Sequence, residues 1–384
     1  MKKLSFVAVA ACIFMFMALL ATPFFLVSCS KKAVLTPVNI QPIVYQTDNV
    51  TVTVEPKIEL IMIALRLAEV EPFRNNVYGQ EYSQYLDGVD KIFANQKEHP
   101  LVKEIKSRCK NYKKSFNEIL KITRYISDDM TEITISQNEI PEDMLAFWKG
   151  INLKTFIQQF NDFAVSSNYE RVWLVYNSQL KSQAIAVQEY FAYNKKITDW
   201  VSSFFYNKDY APDYEIHATI TSGGNSYLPG PMLNYADNKM TVQVISPAFW
   251  NKENDWNATQ DAMNFAGCSI YYLVKKHWEL LSAETIRIIE KIYEQNQITE
   301  KVTDFLAQSE LTSLLTLSCL FDFDNLKNDE DLRASLYNAL TTQFLIEDPD
   351  KLLSVAEYYK NNRDQFPTFD LFVENYLPAA LKEF

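Results

Sequence analysis

Val50, Val52 and Val54 alternate with Thr51 and Thr53, the two-residue period of a half-buried strand, and Pro56 stops it. From there the period changes. KIELIMIALRLAEV, residues 57 to 70, is apolar on most faces and predicts a central helix. Apolar residues three and four apart continue through EYSQYLDGVDKIFANQK and through residues 100 to 126, where Leu101, Ile105, Cys109, Tyr112, Phe116, Ile119 and Leu120 mark one stripe. MLAFWKGINLKTFIQQFNDFAVSS predicts two shorter helices broken near Gly150, and residues 169 to 206 are amphipathic with few breakers.

The middle of the chain differs. YEIHATITSGGNSYLPGPMLNYADNKMTVQVISPAFW carries Gly223, Gly224 and Gly230, three of only seven glycines, together with Pro229 and Pro231. Ile216, Ala218 and Ile220 alternate before them and Met240, Val242 and Val244 after them, with ADNK as a turn. This predicts a small antiparallel sheet inside a helical protein. About ten residues later NATQDAMNFAGCSIYYL, residues 257 to 273, predicts a buried helix whose Ala262, Ala266 and Gly267 let another element approach closely. Helices return from Ser282, expected to cap the first of them, with Glu284 near the positive end of the dipole. Thr285 stands where a capping box needs Glu or Gln. Asp348 and Pro349 are the cap and first residue of a later helix. The fold class is α+β: mainly α-helical, with a small antiparallel sheet preceding a central helix. No repeat of fixed period supports a solenoid.

The chain has 384 residues, 48% hydrophobic and 22% charged, a globular composition. Its first thirty residues stand apart. After MKK an uncharged stretch runs from Leu4 to Ser30 and contains Leu26, Val27, Ser28 and Cys29. This resembles the lipobox of bacterial lipoproteins, which implies a signal peptide over 1–28, lipidation of the Cys29 thiol and a cell-envelope location. Ser30 resembles the residue of proteins sent to the outer membrane. The alternative is a retained membrane-spanning anchor. Residues 29–48, with two prolines and no helical period, read as a tether, and 49–384 as a single domain. Cys109, Cys268 and Cys319 then remain, an odd number that excludes a complete disulfide framework and suits thiols acting as small hydrophobes. Without Lys2 and Lys3 the net charge moves from −11 to −13, and with no basic cluster this excludes nucleic acid as a partner.

A strand pair, a glycine-rich turn and a helix is the layout many zinc peptidases use, the helix carrying H-E-x-x-H. VEPKIELIMIALRLAEV, ITSGGNSYLPGPMLNYADNKMTVQVIS and YYKNNRDQFPTFDLFVENYLPAAL together resemble the DUF4932 family of bacterial, often lipoprotein, domains. The resemblance runs from about Val50 to the C-terminus. It implies a metallopeptidase-like, zincin-like arrangement with H-E-F-x-H-S-F on the helix after the sheet. Here Met263-Asn264-Phe265-Ala266-Gly267-Cys268-Ser269 occupies that place: the Phe is kept, Met263 and Gly267 replace the ligands, and Asn264 replaces the base. Residues 251 to 276 contain no histidine, so no shift of alignment restores the motif. The chain's three histidines, His99, His217 and His277, are too far apart for an i, i+4 pair. Met is a poor zinc ligand, Gly offers none, and an Asn amide takes no proton from water. Asp261, alone on that helix, reads as a first-turn residue.

Other candidates are weaker. His277 has Glu279 two positions away, which a helix points elsewhere. FDFDNLKNDEDL gathers Asp322, Asp324, Asp329, Glu330 and Asp331, but Leu326 and Lys327 break the calcium-loop spacing. SGGNSYLPGP lacks the G-K-[ST] ending of a phosphate cradle, and no G-x-S-x-G occurs. Tyr227, Tyr235, Trp250 and Trp256 belong to a 14% aromatic share whose default use is core packing. The expected molecule has no catalytic residues, metal or cofactor of the family kind. Its expected cleft, lined by His217, Tyr227, Met263, Asn264 and Gly267, binds a peptide or envelope component. The alternatives are a hydrolase around His217, Asp213 and Glu215, or a purely structural lipoprotein.

Overall fold

Two residues join strand β1, Ile43–Thr47, to β2, Val50–Val54, and Asp48 makes the turn at φ 50°, a left-handed conformation that Asp tolerates better than most residues. This hairpin starts the globular unit in the computed structural model. The structure describes residues 35–74, 80–111, 116–141, 144–207, 212–221, 227–234, 239–246, 258–299 and 303–384, so the expected signal peptide over 1–28 and Cys29 lie outside the described residues. The chain divides after Thr36, and Pro37–Phe384 form the larger unit. The expected 29–48 tether is therefore shortened. Val38 and Ile40 are buried, and β1 pairs with β2, because their apolar side chains find a core to enter.

Helix α1, Pro56–Leu67, follows at once, with Pro56 in its first turn. Every residue from Ile58 to Leu67 is buried, the charged Glu59 and Arg66 included. Helices α2, Gln80–Ile92, α3, Pro100–Asn111, and α4, Phe116–Ile122, come next. Gly150 breaks the chain at φ 79° before α5, Leu153–Ser166. The long amphipathic segment resolves into α6, Tyr169–Val175, α7, Asn177–Tyr193, and α8, Lys195–Phe205.

Strands β3, Asp213–Ala218, β4, Tyr227–Asn234, and β5, Lys239–Ser246, complete a five-stranded sheet of order β1-β2-β3-β5-β4. Only the two outer pairs, β1 with β2 and β4 with β5, are antiparallel; β2, β3 and β5 run parallel. The expected antiparallel sheet is thus a mixed one. Local alternation announces a strand but not its neighbour, and β3 pairs with β2, about 160 residues earlier in the chain.

Helix α9, Ala258–Lys276, lies on one face of the sheet, where Phe265 packs 5.2 Å from Tyr214 and stacks on Phe191 of α7 at 5.7 Å. Helices α10, Trp278–Gln295, α11, Asp304–Leu320, α12, Glu330–Thr342, α13, Pro349–Asn361, and α14, Phe369–Asn375, close the chain. Asp348 caps α13 as expected, its side chain accepting from the Lys351 N–H. Ser282 does not cap α10, which begins a turn earlier at Trp278. Tyr359, Phe204, Phe205 and Phe369 interlock edge to face and Phe372 packs tilted on two of them, so these aromatics are core. No helix among the described residues is long and apolar enough to cross a membrane.

Candidate functional site

Alternation along β3 sorts its side chains by face. Tyr214, Ile216 and Ala218 turn to the core under α9, while Asp213, Glu215 and His217, continued by Thr219 and Thr221, form a polar row on the other side. The parallel register sets Thr53 of β2 beside His217 and Thr51 beside Glu215.

His217 is buried, with Nδ1 2.8 Å from the Thr53 hydroxyl and Nε2 3.4 Å from Glu215 Oε1. A carboxylate only accepts, so Nε2 carries the proton and Nδ1 accepts from Thr53. Burial pushes this imidazole down to about 4, against the pull of Glu215, so the ring is neutral near pH 7. Glu55, next in line after Thr53, goes the other way. Burial, opposed by Lys57 and reinforced by Asp128 and Glu215, raises it to about 7. Its carboxylate is 3.8 Å from the Lys57 ammonium, which also bonds the Ile126 carbonyl and Asp128.

The inner end of the row is held by Glu59 of α1. Its carboxylate accepts from Tyr85 Oη at 2.8 Å, Thr219 Oγ1 at 2.6 Å, Thr221 Oγ1 at 3.0 Å and the Ile220 N–H at 3.3 Å. Burial raises its affinity for a proton and the four donors oppose that. The net effect is upward, and the three hydroxyls can serve the carboxyl group in either protonation state. The outer end opens into a cavity of about 230 Å³ lined by Gln46, Asp48, Asn49, Thr51, Asp213, Tyr214 and Glu215. Asp213 and Glu215 therefore share a concavity, but His217 does not line it.

On α9 the positions that matter are Met263, Asn264 and Gly267, all half-buried. A Cβ at Gly267 would point to Thr316 of α11, 3.6 Å from its Oγ1. Met263, one turn earlier, lies on the same helical face. Zinc sites draw a third ligand from a neighbouring element, and here the group facing Gly267 is a hydroxyl that already donates to the Thr312 carbonyl at 2.6 Å. Asp261 is buried in the first turn and accepts from Tyr190 Oη at 2.8 Å.

The expected cleft is thus only partly assembled. Helix α9 meets the Tyr214 face of the sheet and His217 occupies the other, so His217 does not join Met263, Asn264 and Gly267. The backbone of Tyr227 lies in β4, which contacts α9. Tyr235, Trp250 and Trp256 lie outside the described residues. The other histidines have separate partners: His99 bonds Asp162 at 3.0 Å and His277 bonds Asp370 at 2.6 Å. Asp322 accepts from Trp200 Nε1 and pairs with Lys360. Among the described residues Cys109, Cys268 and Cys319 are thiols outside any disulfide, and burial pushes the Cys268 thiol up to about 12. Among the described residues no three His, Cys, Asp or Glu side chains group to hold a metal ion.

Sequence reasoning passed over Glu55 and Glu59. A signal for Glu59 exists, since it is the one carboxylate in a mostly apolar helix whose other charged residues are Lys57 and Arg66. None exists for Glu55. No family model matches this sequence, and no curated protein or solved structure matches it either.

Proposed function

We propose that the chain is a lipid-anchored protein of the bacterial envelope, attached through Cys29 to the outer membrane, whose globular unit is a non-catalytic, DUF4932-like relative of zinc metallopeptidases. It holds an extended peptide, or an extended segment of another envelope component, along the outer edge of β4 beside α9. The observation that carries this reading is the position of β4, which ends the sheet antiparallel to β5 and lies against α9. A sheet edge offers backbone groups to an added strand, and an adjoining helix offers side-chain contacts. Edge strand, β5 and helix in this order support a zincin-like arrangement. Pro229 and Pro231 lie in β4 and lack N–H groups, which an edge strand tolerates, so this edge accepts hydrogen bonds more than it donates them. A ligand that presents N–H groups fits it.

The donor set supports the non-catalytic part. Met263, Gly267 and the Thr316 hydroxyl stand where zinc would need imidazole or carboxylate. A photo-crosslinking residue at position 264 should capture one envelope component in living cells, while the same residue at exposed position 280 should not. Stoichiometric zinc in the purified protein, with chelator-sensitive proteolysis, would overturn the reading.

One observation favours a hydrolase instead: Asp213 and Glu215 line a common cavity. That reading needs His217 as the base, and the ring is buried behind the cavity with both nitrogens engaged. A hydrolytic activity abolished by His217→Ala would revive it.

A further inference from the structure

The short chain between Cys29 and Pro37 restricts which face of the protein can meet a membrane. Eight residues reach about 28 Å when fully extended. A unit of this size has a radius of gyration of about 20 Å, so the surface around Pro37 must stay near the bilayer. That surface includes α6. The Asn39 N–H donates to Glu170 Oε1 at 2.6 Å, and Glu170 sits in the first turn of α6. Leu174 lies one turn further along the same face and is 74% exposed, and its neighbour Val175 is 59% exposed. Tyr169 and Trp173 of the same helix are buried, which fixes its orientation.

We propose that the α6 face carrying Leu174 and Val175 docks on the lipid surface beside the anchor and holds the domain in one orientation. This rests on the lipid-anchored part of the function proposed above. Two aliphatic side chains are too little to bring a free protein to a membrane. Tethered by a few residues, the same face works at an effective concentration in the millimolar range, where a small apolar contact is enough. The exposed groups of this face are aliphatic, so the contact is apolar.

The test uses the full-length lipidated protein in phosphatidylcholine vesicles. Mass spectrometry first establishes the diacylglyceryl group on Cys29; an unmodified Cys29 sinks both this inference and the anchored reading. With the lipid present, an environment-sensitive fluorophore is attached at Leu174→Cys or, as a control, at exposed Leu280→Cys, each in a Cys109→Ser background. Docking predicts quenching by lipid-borne quenchers at 174 and not at 280. It also predicts faster rotation of the anchored domain on Leu174→Asp with Val175→Asp. Equal, water-like signals at 174 and 280 would overturn the docking alone. So would quenching that appears only at high protein density together with 174-to-174 crosslinks, which would assign the face to a second copy.

Discussion

Replacing Glu55 by Gln should unmask a pH dependence of stability that the wild-type chain hides. Glu55 is raised from 4.5 to about 7 by burial. Between those values the unfolded chain has lost this proton and the folded chain keeps it, so stability falls as pH rises. His217 is lowered from 6.5 to about 4. Between those values the unfolded chain holds a proton that the folded chain lacks, so stability rises with pH. Each slope is about 1.4 kcal/mol per pH unit. They overlap from pH 4.5 to 6.5 and cancel there. Glu55→Gln leaves the His217 slope alone, a gain relative to wild type of roughly 2–3 kcal/mol across that window. His217→Asn leaves the Glu55 slope, a loss of similar size. Urea unfolding of the three proteins at half-unit pH steps reads this directly, and variant-minus-wild-type differences remove what Glu59 and the other carboxylates share. Difference profiles that stay flat from pH 4.5 to 6.5 would refute the reasoning.

Further outcomes follow from single positions. Glu59→Gln should be mild, because its amide oxygen can face the Ile220 N–H and Thr219 while its NH₂ donates to the Tyr85 and Thr221 hydroxyls. Glu59→Leu strands the Ile220 N–H and should cost on the order of 3 kcal/mol or more in chemical denaturation. Gly267→Ala meets Thr316 at ordinary contact distance and should stabilise by about 0.5–1 kcal/mol through helix propensity. Gly88→Ala in α2 would overlap the Tyr176 hydroxyl and should lower the melting temperature instead. Pro231→Val restores an N–H at the edge of β4 and should increase self-association in light scattering; scattering unchanged from wild type would show that the edge is covered.

Several parts of the molecule were legible from local pattern. The apolar run after Pro56 is a buried helix because most of its faces are apolar. Gly150 breaks its helix pair, and Asp348 with Pro349 starts α13, because caps and breakers act within a few residues. Met263 and Gly267 are poor metal donors by side-chain identity alone, wherever the helix sits. The hairpin at Asp48 was missed, since Ile43–Thr47 becomes a strand only by pairing with β2. Ser282 misled because Trp278 and Leu281 are buried, and packing carries α10 a turn further back.

Strand neighbours, faces and electrostatics were decided by the tertiary structure. The same DYEIHA strand could be paired in either direction, and its parallel place between β2 and β5 sets Thr53 against His217. Burial then determines what each polar group is: a neutral imidazole at His217, a protonation near neutrality at Glu55, a four-partner carboxyl group at Glu59. Composition and period are properties of the chain's neighbours in sequence. Desolvation and hydrogen bonding depend on neighbours in space, which for this site come from segments about 160 residues apart.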